Sequence, residues 1–528
     1  MMNPEPTGTG RLLRASHAGA ALLLAALLFL LGRANLFEVN PDAVSYMRIA
    51  RYWLEGRTGL AVNGYWGPLL SWLMVPWMAW TGSPLVSARM ALAVSAALLY
   101  GAGLFWMRVM ELPAGVRAAA AWPLAIFCGA WSVRLITPDP LMAALFLAGA
   151  GLDVRAARTG KMLHAAFAGV FFGLAYMAKA VALPAAALWV LLHGAYRVWA
   201  SRGRWREPVL RGAAAAALTA SVSLPWIAAV SADAGQISFS ASGGINHAIA
   251  GPPDVERYHP TFREFHVPEE GRITSWEDPT AMSYPRWSPL ERMDYLRHQL
   301  KIPYWNANHI LHNWTAFDWL YLTPGILLIA LCVFAAGRPE MREVVCVSLI
   351  AAAANSVFYL PVYAADLRYY LVTHAVLFAA GPAVAVRLPS IAPRVRLGVL
   401  VLLLLNFAVP AADFLAEQAG VEHPEYLAAR KLAAGVRERG LDVEAVAGVD
   451  DPLAVALYLA FQLDVPYYGN TREVPEREVL NAHPCALVVP EREAAALEGF
   501  RVWFRGGGYR LLTSRNGEGS PHNAGVSQ

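Results

Sequence analysis

The chain has 528 residues, is 57% hydrophobic and only 16% charged, and carries a formal net charge of +4. Soluble chains are about 25% charged, so this balance excludes an ordinary soluble globule. So small a net charge also gives no footing for nucleic acid.

Apolar runs of about 20 residues, the length that spans hydrocarbon as a helix, recur through roughly the first 410 positions. About eleven spans are expected, near 15–36, 84–107, 116–135, 138–153, 163–180, 181–197, 210–230, 317–336, 343–363, 369–387 and 396–412. Backbone groups in lipid must pair internally, so such runs are helices. The first follows Arg11 and Arg14 and reads as a retained anchor. With a cytoplasmic N-terminus, five short basic loops fall on one side, marked by Arg108, Arg155, Arg202, Arg338 and Arg394. Residues 37–83, residues 231–316 and everything after about 413 then lie outside. The expectation is an integral membrane protein that works on its outer, non-cytoplasmic face.

Beyond the first span, Asn40-Pro41-Asp42 opens a short helix over 42–55. Tyr46, Ile49, Ala50, Trp53 and Leu54 share one broad face, with Arg48, Arg51 and Glu55 opposite. This helix is expected to lie in the membrane interface. The stretch 62–80 holds Tyr65 and Trp66, is interrupted by Pro68 and Pro76, and reads as a second interfacial element. Thr137-Pro138-Asp139 repeats the Pro-Asp device at a later span.

Each of these acids has two readings. A carboxylate in the first turn, behind an Asn or Thr cap and a Pro at the first position, complements the helix dipole. Alternatively, Asp42 and Asp139 hang at the outer mouth of a cavity. There one takes a proton from an acceptor hydroxyl while the other orients that hydroxyl or holds a divalent cation.

Three cations, Arg134, Lys179 and Arg368, sit at outer span ends against the inside bias. Snorkelling to the interface is one account. The other is a cluster that neutralises an anionic headgroup, Arg through paired donors and Lys as a point charge, with Arg89 and Arg51 joining it. The loop 231–316 is too long to be structureless and is expected to fold as a lid or acceptor platform. Its Trp276, Tyr284, Trp287, Trp305 and Trp314 either stack on sugar rings or form an interfacial belt. Tyr46, Tyr65, Trp66, Trp276 and Trp287 are the acceptor or sugar contacts chosen from such aromatics. Glu277 and Asp278 read as solvated or capping groups.

His247, His259 and His266 are too loosely spaced to define a metal site, and the four cysteines have neither zinc spacing nor a disulfide framework. After residue 420 the texture becomes that of a small α/β domain over 420–514. Helices are expected at 425–438 and 452–463, and strands at 443–449, 486–490 and 509–514. The tail 515–528 is rich in Gly, Ser and Asn and is expected to be disordered.

An acidic residue after the first span, an interfacial helix, the PDP start at 138–140, GLAYMAKA at 173–180 and DLRYYLV at 366–372 together form a constellation. It resembles the GT-C membrane glycosyltransferases, in the branch of protein O-mannosyltransferases and aminoarabinose transferases. The resemblance covers about residues 15–412 in layout. It implies a polytopic helical fold, a sugar donor carried on polyprenyl phosphate, and an acceptor that is a lipid, a glycan or a protein. It implies inverting transfer, with Asp42 as base, Asp139 as the second acidic residue, and Lys179 and Arg368 facing the donor phosphate. Ala43 stands where protein mannosyltransferases have a further acid, which weighs against mannose transfer to protein. The competing classes are a transporter or flippase of an anionic lipid-linked sugar, and a non-catalytic relative. No inverted repeat of the transporter kind is evident, and the charges gather at span ends, not at the midplane.

Overall fold

A computed structural model describes residues 7–255, 264–316, 338–364, 366–388, 392–419, 422–493 and 500–514. The expected span at 317–336, His259 and the tail 515–528 lie outside the described residues, as does the side chain of Trp314. The chain divides into two compact units. One comprises residues 1–36, 64–250 and 287–421, and the other residues 37–63, 251–286 and 422–528.

The first unit is the helical one. Each of the ten expected spans that fall on described residues is a helix: Thr7–Ala34, Pro84–Val109, Ala114–Val133, Asp139–Thr159, Met162–Ala178, Ala182–Ala200, Arg206–Asp233, Pro339–Ser356, Leu371–Arg387 and Pro393–Ala419. Eight stretches of the described residues are by themselves long and apolar enough to cross a membrane. The chain is a polytopic α-helical membrane protein. Local signals set the ends. Ser83 accepts from the Val86 amide ahead of Pro84, and Gly160, at φ +73°, stops the Asp139 helix in the left-handed conformation that favours glycine.

Lipid gives helices no hydrophobic reason to associate, so close packing through small residues must do it. Gly169 and Gly173, four apart, supply this on the Met162–Ala178 helix. A Cβ at Gly169 would lie 2.2 Å from the Ala215 carbonyl oxygen, and one at Gly173 2.5 Å from the Val222 Cβ. Thr219 Oγ1 closes the contact by donating to the Gly169 carbonyl at 3.2 Å. Gly169→Val is therefore expected to destabilise the helix pair by about 1–3 kcal/mol, the usual cost of overpacking. Thermal unfolding of the detergent-solubilised chain measures it.

The stretch 62–80 contains the helix Pro68–Thr81, which Pro76 does not break. Pro68 occupies the first turn, where no amide partner is needed. Trp80, near the helix end, is 77% exposed. Within 231–316 the described residues form defined elements. It holds a short helix Ser242–Ala248 and a polar helix Met293–Ala316 that apolar periodicity did not signal.

The second unit combines three distant segments. Its sheet has the order β2-β1-β3-β5-β4, where β1 is Val446–Val449, β2 Tyr467–Thr471, β3 Ala486–Pro490, β4 Phe500–Gly506 and β5 Tyr509–Ser514. β1 is parallel to β2 and β3, and β5 runs antiparallel to β3 and β4. Helices Pro424–Glu438 and Val455–Leu463 form where expected. β2 and β4 were missed, because YYGNT carries turn residues and FRVWFRG carries two arginines and a terminal glycine.

The helix Pro41–Leu54 belongs to this unit. It is more deeply covered than an interfacial helix, since every residue from Ala43 to Ala50 is buried. Arg48, read as solvent-facing, is 5% exposed. The reason is a set of partners that helical periodicity cannot show. Its guanidinium meets Asp464, the Tyr52 hydroxyl at 3.3 Å and Glu277 at 3.8 Å. Glu277 is fully buried rather than solvated. It closes a capping box with Thr274 and accepts from the Tyr52 hydroxyl at 2.6 Å and the Ile273 amide at 2.9 Å. Burial pushes its carboxyl above the usual range, while Arg48 and these donors pull it back.

Candidate active site

In the helical unit, the site grows from three breaks in helical structure. The Ala114–Val133 helix ends before Arg134, and a new helix begins at Asp139. Pro138, not Thr137, stands at the cap position, and no side chain caps that helix. The Met162–Ala178 helix ends at Lys179, whose backbone is extended. The backbone of Gly67 lies against this end so closely that a Cβ there would come 2.5 Å from the Ala178 carbonyl oxygen. The third break is the turn Leu367–Tyr370, capped by Asp366 through the Arg368 amide.

These breaks bring together the side chains that the sequence singled out. Lys179 Nζ lies 2.5 Å from Asp139 Oδ1, and the Asp139 side chain is only 2% exposed. The same ammonium lies 4.3 Å from the centre of the Tyr369 ring and 5.6 Å from that of Tyr359. Arg368 donates to the Tyr369 hydroxyl at 3.0 Å, and its guanidinium is 5.0 Å from the same ring. Lys179 and Arg368 are thus joined through one tyrosine, each with a cation–π contribution. The roles of Tyr359 and Tyr369 were not read from sequence, although the YY pair at 369–370 beside Arg368 was a usable signal.

Beside this group opens a cavity of about 450 Å³, lined by Trp131, Arg134, Thr137, Arg368, Phe414 and Glu417, among others. Trp131 and Phe414 stack at 5.5 Å, and the Arg134 guanidinium lies 5.6 Å from the Phe414 ring. The wall combines apolar and aromatic side chains with two guanidinium groups and the carboxylates of Asp366 and Glu417, Asp366 lying 3.4 Å from Arg368. Arg89 is placed differently. It is 9% exposed and donates to the carbonyls of Val133, at 2.7 Å, Arg134, at 3.0 Å, and Asn35. These bonds tie the helix end that carries Arg134.

In the second unit, Asp42 sits in the first turn of its helix behind Pro41. Asn40 takes the extended cap conformation but makes no side-chain cap bond. Trp276 Nε1 donates to Asp42 Oδ1 at 3.1 Å, and Ser45 Oγ donates to the Trp276 carbonyl at 2.9 Å. Trp276 therefore holds a carboxylate, and at 6% exposure it presents no free face to a sugar. The other aromatic candidates are similarly covered. Tyr46 is 2% and Trp66 7% exposed. Trp287, in the helical unit, is stacked on His247 at 4.3 Å and donates to the His247 carbonyl. Tyr65, half-buried, packs edge-on to Trp66 and accepts from Asn246 at 3.4 Å. A Trp's burial depends on long-range packing, so its sequence neighbours did not reveal these roles.

Among the described residues, no group of three or more His, Cys, Asp or Glu side chains gathers as a metal ion would require. The Asp139 carboxylate already faces an ammonium.

The described helices, their breaks and the small mixed sheet are similar in fold to solved GT-C membrane glycosyltransferases. ArnT from Cupriavidus metallidurans bound to undecaprenyl phosphate aligns with a TM-score of 0.55 at 15% identity, over 94% of this chain and 98% of that one. The Archaeoglobus fulgidus oligosaccharyltransferase, without ligand, aligns with a TM-score of 0.54 at 12% identity, over 90% of this chain and 70% of the other. The archaeal oligosaccharyltransferase AglB from Archaeoglobus fulgidus, in complex with an inhibitory peptide and a dolichol-phosphate, gives 0.53 at 12% identity over 90% and 69%. At these identities the likeness is one of fold. No known sequence family matches the chain, and no curated protein matches it in sequence.

Proposed function

We propose that this chain is an inverting glycosyltransferase. It moves a sugar from a polyprenyl-phosphate donor to a hydroxyl acceptor on the extracytoplasmic face of a bacterial inner membrane. The observation that carries the reading is the pair of guanidinium groups, Arg134 and Arg368, on an aromatic cavity at helix ends, with the buried Lys179–Asp139 pair alongside. The two guanidinium groups beside aromatic rings suit a phosphate on an apolar chain, which takes over Arg368 from its Asp366 partner. Fold neighbours that bind undecaprenyl phosphate and dolichol-phosphate support it.

In this reading the acceptor oxygen attacks the anomeric carbon. The bond from that carbon to the phosphate oxygen breaks, and its electron pair stays on the departing polyprenyl phosphate. Asp42 takes the acceptor proton. Charge grows on the phosphate as the bond breaks, and fixed cations stabilise charge that appears in the transition state. Arg134 and Arg368 meet the phosphate directly, and Lys179, fixed by Asp139, adds its field. Arg89 supports Arg134 from behind.

Binding of radiolabelled undecaprenyl phosphate to the purified chain tests the anion site. Arg134→Met and Arg368→Met are each expected to weaken binding about tenfold, the worth of one charge-assisted contact. Transfer is then assayed in membranes with labelled pentose and hexose donors on undecaprenyl phosphate. Unchanged affinity in both variants would refute the phosphate assignment.

A further inference from the structure

We propose that the C-terminal α/β portion of the second unit is the clamp that sets the Asp42 carboxylate, with Tyr458 and Asp464 as positioning residues. This rests on the reading of Asp42 as the base.

The helix Val455–Leu463 and Asp464, the residue that follows it, supply the two grips. Tyr458, 3% exposed, donates its hydroxyl to the carbonyl of Val39, itself 5% exposed. Val39 lies three residues before Asp42, immediately ahead of the Asn40-Pro41 cap. Burial, together with the carboxylates of Glu425, Glu38, Asp451 and Asp42, keeps this phenol protonated and therefore a donor. Asp464 follows the same helix with φ +59°, a left-handed conformation that Asp tolerates better than most residues. From there one carboxylate oxygen meets Arg48 and the other meets Arg51 at 3.2 Å. The two grips thus flank Asp42 in sequence, one upstream at Val39 and one downstream at Arg48 and Arg51. A third fastening lies further upstream, where His423 pairs with Glu38.

The arrangement is more than anchorage of a loose end. Trp276 fixes one oxygen of Asp42, and that contact holds only while the first helical turn stays in register with the Trp276 turn. Displacing a reacting group by about 1 Å can cost on the order of 10²-fold in rate. The segment is therefore held where small shifts matter.

The test uses the full-length chain with Tyr458→Phe and Asp464→Asn, two changes at separate grips, so failure of one variant to fold leaves the other. Hydrogen–deuterium exchange needs no substrate. Amides over residues 39–46 are expected to exchange at least about fivefold faster in each variant, with β1 and β3 unchanged. Turnover is expected to fall roughly tenfold, with apparent KM values for donor and acceptor within about twofold. In an Asp42→Asn background the same changes should add nothing, because they act through Asp42. Unchanged exchange overturns the clamp. Faster exchange with native turnover, or additive losses in the Asp42→Asn background, overturns positioning and leaves the base intact. Native turnover in Asp42→Asn alone removes the base and this inference with it.

Discussion

Asp42→Asn is expected to lower turnover by about 10²–10⁴, the usual worth of a positioned acid or base, with the protein accumulating normally. The substitution is a demanding one because it changes so little. Asn matches Asp in size and still offers Oδ1 to the Trp276 indole, so the 3.1 Å contact survives. The helix start also survives, since Asn is tolerated in a first turn and Pro41 remains in place. What disappears is the charge and the ability to hold a proton taken from the acceptor. Initial rates with a labelled polyprenyl-phosphate donor, beside membrane protein levels, measure it. Near-native turnover would return Asp42 to the role of a dipole-complementing residue.

Lys179→Met is expected to act twice. It leaves the Asp139 carboxylate, with a side chain 2% exposed, deprived of a cation at 2.5 Å. Breaking a buried pair from one side costs about 3–5 kcal/mol, against a total stability of about 5–15 kcal/mol for a typical domain. The variant should therefore melt earlier or accumulate poorly. Lys179→Met combined with Asp139→Leu removes both charges, and replacing a buried pair by apolar groups is often neutral. The double variant is expected to recover stability but not transfer. If it recovers both, the pair is a packing feature, and the phosphate site reduces to the two arginines.

Much of this architecture could be read from the chain, and the particular residues show why. Span ends carry their signals locally, in runs of apolar residues bounded by arginines, prolines and glycines. Asp139 and Lys179 are 40 positions apart, on consecutive apolar helices, and their outlying charges drew notice without any knowledge of the pairing. The second unit was harder. Arg48 looked like the polar face of an amphipathic helix, because its partners Glu277 and Asp464 lie 229 and 416 positions away. Trp276 looked like a sugar platform for the same reason. An aromatic side chain has a flat face, an edge and one donor, and composition does not say which of these the fold will use.

The three-segment construction of the second unit also has a consequence in time. The ribosome emits the Asp42 helix early, but Trp276 follows it by 234 residues, and the Arg48 partner Asp464 comes 416 residues after Arg48. At synthesis rates of about 5–20 residues per second, that delay runs to tens of seconds. Throughout it the Asp42 helix lacks its distant partners, and Arg48 has only Tyr52 of the same helix to meet. A nascent or prematurely terminated chain therefore displays the acidic residue without the geometry that orients it. The segment around Asp42 therefore acquires its full set of contacts only when the chain is made as far as Asp464, near its end.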